Sequence, residues 1–93
     1  MTGIAITEME PGNFGIQVEE GDLTTSHRVS ISSGFVDDLQ LAEVDPVRIV
    51  RESVGFLLER VPATSLPPAM SLDDIGRDYP EYYDELRARL VAS

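Results

Sequence analysis

Patterned as it is, this chain of 93 residues should fold as one small α+β domain. The expected architecture is a three-stranded antiparallel β-meander packed on a central helix at 46–60, followed by a C-terminal helical arm. Three observations lead there. Apolar and polar residues alternate in three runs at the start of the chain. An apolar stripe at spacings of three and four follows Asp45-Pro46. A Pro-rich stretch at 62–70 then breaks the helical pattern. The domain divides into a β-meander at 1–33, a helical pair at 34–61, the connector at 62–70 and C-terminal helices at 71–93.

The strands come first. Residues 3–8, GIAITE, carry Ile4 and Ile6 in alternation, and Glu10-Pro11-Gly12-Asn13 is a turn signal. Residues 14–20, FGIQVEE, place Phe14, Ile16 and Val18 on one face. Gly21-Asp22 reads as a two-residue hairpin loop. Residues 23–32, LTTSHRVSIS, set His27, Val29 and Ile31 against Arg28, Ser30 and Ser32. The Gly21-Asp22 loop pairs Glu20 with Leu23, Val18 with Thr25, Ile16 with His27 and Phe14 with Val29. A three-residue loop at 11–13 pairs Glu10 with Phe14, Glu8 with Ile16 and Ile6 with Val18. Directly opposed residues share a face. Both loops therefore gather Ile4, Ile6, Phe14, Ile16, Val18, Val29 and Ile31 on one side, and a slip of one residue would scatter them.

The helices follow. Ser32 or Ser33 is placed to N-cap a short helix at 34–41, with Phe35, Val36 and Leu39 inward. Asp45 is a good N-cap, and Pro46 stands at the favoured first position of the central helix. Val47, Val50, Val54, Leu57 and Val61 form its stripe; Ile49 and Phe56 lie on a second flank. The connector PATSLPPAM is expected to be irregular. Ser71-Leu72-Asp73-Asp74 resembles a capping box and opens a short helix, interrupted by Gly76 and ended before Pro80. Pro80 begins a last helix, whose stripe is read as Tyr79, Tyr83, Leu86 and Leu90, with Tyr82 pointing elsewhere. Glu85 and Arg89 form a favourably ordered i,i+4 pair.

Charge limits the function classes. The net charge is −10, from seventeen acids against seven Arg and no Lys. Residues 1–45 hold nine acids and only Arg28 as a base. Such a surface repels phosphate backbones, so nucleic acid is not an expected partner. Without Cys, disulfides and thiolate chemistry are excluded. No apolar run reaches a membrane span, and the first twenty residues contain four Glu and no base, unlike a secretory or transit segment. A cytoplasmic location is the expectation, with no membrane contact.

Few residues offer chemistry. His27 is the only imidazole, and a metal-dependent enzyme would have to be built around it. No second His completes a common transition-metal site, so His27 reads instead as a partly covered strand residue, its ring edge reaching solvent or an acid. Asp37-Asp38 and Asp73-Asp74 lie near helix starts, where negative charge is favourable, and adjacent helical residues diverge rather than converge on an ion. Neither catalysis nor a cofactor is expected. The aromatic cluster Tyr79-Pro80-Glu81-Tyr82-Tyr83 is either core or a partner-contact surface, since Tyr is enriched at interfaces. Phe56, Tyr79, Tyr82 and Tyr83 are the candidate contact residues.

Two resemblances bear on these readings. The strand RVSIS, the helix FVDDL and the helix DPVRIVRESVGFLLER resemble ribbon-helix-helix proteins, including many antitoxins. That resemblance implies a dimeric DNA-binding regulator in which Arg28, Ser30 and Ser32 enter the major groove. About half of the chain is also similar to a group of short uncharacterised bacterial proteins. The matching features are His27-Arg28-Val29, the stretch IVRESVGFLLER at 49–60 and SLDDIGRDYPEY at 71–82, which departs from the shared pattern at Gly76 and Asp78. It implies no activity. The expected function is a non-catalytic protein-interaction or regulatory module, binding another protein or a second copy of itself as a homodimer.

Overall fold

The computed structural model describes residues 2–39 and 43–91. The fold is α+β, as expected, but its sheet has four strands and is mixed. Strands β1 (Thr2–Glu10), β2 (Asn13–Glu20) and β3 (Leu23–Ser30) form the antiparallel meander. Helices α1 (Ser33–Asp38) and α2 (Pro46–Leu58) follow. A 3-10 turn (Ala63–Ser65) then leads to β4 (Ala69–Ser71), which lies parallel to β3. Helices α3 (Leu72–Asp78) and α4 (Tyr82–Val91) complete the chain, and the sheet order is β1-β2-β3-β4.

The expected registers hold unequally. Between β2 and β3 every expected pair is present, from Glu20–Leu23 to Phe14–Val29. Between β1 and β2 the pairs are Ile4–Val18, Ile6–Ile16 and Glu8–Phe14, two residues away from the expected register. The loop is the two-residue Pro11-Gly12, and an irregularity between Glu8 and Glu10 absorbs the odd residue. Two plus one preserves the parity of a three-residue loop, so the same side chains still share a face. Gly12 has φ of 82°, and a Cβ there would stand 2.9 Å from the carbonyl oxygen of Ile31. Pro followed by a residue at positive φ is the order a type II turn requires.

The fourth strand corrects the expectation of an irregular connector. Prolines were read as barring regular structure because they lack an N–H. An edge strand needs donors on one side only, and carbonyls remain available. Pro68 accepts the Arg28 N–H at 2.8 Å, and Pro67 accepts from the His27 ring at 2.9 Å. The chain then pairs Ala69, Met70 and Ser71 with Arg28, Val29 and Ser30.

The caps are as expected. Ser32, Asp45 and Ser71 accept hydrogen bonds from the backbone N–H groups of Phe35, Val47 and Asp74 at 3.1, 3.0 and 3.3 Å. Helix α1 ends at Asp38 rather than 41; residues 40 and 41 lie outside the described residues. Helix α2 stops at Leu58, two residues short of 60. Gly76 does not interrupt α3, and α4 begins at Tyr82 rather than Pro80.

The core lies between the sheet and the helices. Phe14, Ile16, Val18 and Val29 project into it, and Ile49, Val50, Val54, Phe56 and Leu57 meet them from α2. Tyr82, Leu86 and Leu90 bring α4 against α2. No helix among the described residues is long and apolar enough to cross a membrane.

Candidate functional site

The four candidate contact residues part company. Phe56 and Tyr82 are 0% exposed, so they offer a partner no area. Tyr79 and Tyr83 are half-buried. The expected stripe set Tyr79 in phase with a last helix beginning at Pro80. The chain instead breaks between α3 and α4, which leaves Tyr79 at the end of α3. The buried repeat of α4 is Tyr82, Leu86, Leu90, an i, i+4, i+8 series.

Burial of Tyr82 demands a partner for its hydroxyl, and Ser53 supplies one. The Ser53 hydroxyl donates to the Ile49 carbonyl oxygen at 2.7 Å, so the Tyr82 hydroxyl, 2.6 Å away, donates to Ser53 Oγ. Burial pushes the Tyr82 phenol well above its ordinary range, with the Ser53 hydrogen bond working against the shift. Around Tyr82 stand Phe56, Tyr83 and Phe35, with ring centroids at 5.2, 5.5 and 6.2 Å. The Tyr79 ring meets Phe56 edge-on at 5.8 Å, and the Arg60 guanidinium lies 3.6 Å over the Phe56 ring.

Tyr79 also lines an open cleft of about 540 Å³ between the end of α2, the connector, β4 and α3. Leu57 and Val61 enter it from the α2 side, Leu66 and Pro67 from the connector, Met70 from β4 and Ile75 from α3. Asp74, Arg77 and Asp78 add exposed charges to this lining, and Arg77 lies 3.5 Å from Asp74. The lining thus mixes apolar and polar surface in nearly equal share, with an acidic excess. It contains one serine hydroxyl, Ser65, and neither imidazole nor thiol beside it. Among the described residues no group of three or more His, Cys, Asp or Glu is arranged to hold a metal ion.

Sequence reasoning missed most of this cleft because it read the connector as structureless. The available signal was Leu66 and Met70 flanking Pro67-Pro68, apolar residues in a segment otherwise read as a tether.

His27 and the candidate DNA-contact residues serve the sheet. His27 is 8% exposed. Its Nδ1 donates to the Pro67 carbonyl oxygen at 2.9 Å, and its Nε2 lies 2.8 Å from Thr25 Oγ1. Its partners are a carbonyl and a hydroxyl, not solvent or an acid. Strand β3 is hydrogen-bonded to β2 along its length, and β4 covers its other edge at Arg28, Val29 and Ser30, the part that holds the candidate DNA contacts. A ribbon-helix-helix dimer needs that edge for its symmetry mate. The Arg28 side chain is exposed and Ser30 is half-buried. Ser32 caps α1 and donates to Asp73 Oδ2 at 2.9 Å.

An ion cluster on the helical side holds α4 to α2. Arg89 reaches Glu52 at 3.8 Å, Glu85 at 3.5 Å and Glu59 in a close hydrogen bond. The expected Glu85–Arg89 pair is one arm of it. Arg89 holds the Glu59 carboxyl below its ordinary value, first through that hydrogen bond and then through its charge. Compared with known protein families, curated proteins and solved structures, the chain matches none of them.

Proposed function

We propose that this chain is a non-catalytic protein-interaction or regulatory module, and that the cleft beside Tyr79 receives an apolar side chain of a protein partner. The observation that carries this reading is the combination in the cleft. Apolar side chains from Leu57 to Tyr79 share the lining with polar surface, its charged residues are two acids and one base, and it holds no activated nucleophile. Such a site suits an apolar anchor flanked by basic residues. The chain's charge of −10 favours the same partner over a nucleic acid.

The test compares wild type with Tyr79→Ala and with Asp74→Asn plus Asp78→Asn in retention of proteins from the native host. A specific partner should be retained by wild type, lost by Tyr79→Ala and weakened by the rim variant, while thermal melting shows every chain folded. A retained set unchanged in both variants removes the cleft as the contact site.

A further inference from the structure

The geometry points to the open edge of β1 as the surface that docks a second copy of this chain, the two strands pairing antiparallel about a two-fold axis at Ala5. This goes beyond the cleft reading and does not depend on it. Strand β1 pairs with β2, and no strand lies on its other side among the described residues. An edge of nine residues presents a row of unpaired backbone donors and acceptors. Edges that stay alone are usually blunted by Lys, Pro, brevity or an inward-pointing charge. Residues 2–7 of β1, TGIAIT, have none of these. On β1 itself the protective features stand at one end, Glu8, the irregularity beside Met9 and Glu10, while the Glu19 carboxylate of β2 lies beside Gly3 at the other.

That one-sided placement selects both the occupant and its direction. With Ala5 on the axis, Ile4 opposes the partner's Ile6 and Gly3 opposes the partner's Thr7. Ile4 and Ile6 face the core side but are only half-buried, so the pairing would extend the apolar layer across the junction. Glu8 then falls opposite the partner's Thr2, and the two Glu8 residues stand about 20 Å apart at ~3.3 Å per residue. That exceeds the ~8 Å screening length at physiological salt. Parallel pairing would instead stack Glu8 on Glu8, which is repulsive. A second copy brings another −10, so association should strengthen as salt rises. A basic peptide on the same edge would show the opposite salt dependence.

The experiment is sedimentation equilibrium of the full chain, up to millimolar concentration, at low and high salt. The expected result is a reversible dimer that tightens with salt. Ala5 is exposed, so Ala5→Lys and Ala5→Glu should leave the melting temperature in place. Each sets like charges directly opposite one another and should weaken dimerisation by up to about fivefold. An equimolar mixture of the two should recover the dimer, because only position 5 facing position 5 makes them complementary. A wild type that stays monomeric throughout overturns the inference. So does a dimer unchanged by both variants, or one lost in Tyr79→Ala but kept in Ala5→Lys, which would move the interface to the cleft.

Discussion

The two margins of the sheet are finished in opposite ways. At one, β4 is three residues long, enters through Pro67 and Pro68, and turns straight into α3. Its approach is tied down by His27 and by the Arg28 N–H, and its Met70 shares a cleft with Leu66, Ile75 and Tyr79. At the other, β1 runs nine residues with nothing beyond it among the described residues, and Ile4 and Ile6 are half-covered. Apolar side chains of the connector, β4 and α3 thus gather at the β4 side. A small domain has too little of this material to close both margins, and the one left open is where association is expected.

The largest expected effect tests the aromatic layer that joins α4 to α2 on the helical side. Tyr82→Ala should remove about 3–5 kcal/mol of stability, the usual loss for a buried aromatic. Against a total of about 5–15 kcal/mol this threatens the fold, so urea unfolding should begin from a barely stable variant. Tyr82→Phe isolates the hydroxyl. Ser53 keeps its own bond to Ile49, so the loss should be about 0.5–1.5 kcal/mol. A Tyr82→Ala cost near that of Tyr82→Phe would mean the aromatic layer does not hold α4 to α2.

An intermediate effect is expected from His27→Ala. It strips a donor from the Pro67 carbonyl and should cost about 1–3 kcal/mol. The loss should be local. Hydrogen exchange at the Arg28 amide, bonded to Pro68, should accelerate, while amides shared between β1 and β2 keep their relative protection. Equal acceleration across the sheet would show that His27 supports the whole domain and not one margin.

These margins were unequally legible in the sequence. The β2–β3 hairpin was readable because a two-residue loop fixes its register outright. The β1–β2 face was readable but its register was not, because parity survives a slip of two residues and the alternation of Ile4 and Ile6 reports parity alone. Strand β4 was hidden by Pro67 and Pro68, whose missing donors disqualify them from a central strand but suit an edge. The cleft was hidden with it. Among the aromatics, composition marked the cluster, but the break before Tyr82 reset the helical phase. Which ring turned inward depended on that break and on Ser53, a polar residue amid an apolar stripe.

The smallest effect concerns Gly76, where α3 meets α4. A Cβ on Gly76 would fall within the van der Waals envelope of the Tyr83 ring. Ala is favoured over Gly inside a helix by about 0.8–1.0 kcal/mol. Gly76→Ala should therefore gain helix propensity and lose ring packing at once. The ring is the far end of its side chain and can swing aside, but it then leaves Phe35 and Tyr82, whose centroids stand 5.9 and 5.5 Å away. Each aromatic pair contributes about 0.5–1.5 kcal/mol, so leaving both costs about 1–3 kcal/mol, and the substitution should be neutral to destabilising by about 2 kcal/mol in the wild-type background. In a Tyr83→Ala background the packing loss disappears and the same substitution should stabilise by the full propensity difference. A double-mutant cycle by urea unfolding should then show a coupling of about 1–3 kcal/mol between positions 76 and 83. Equal effects in both backgrounds would place the Tyr83 ring elsewhere than against α3.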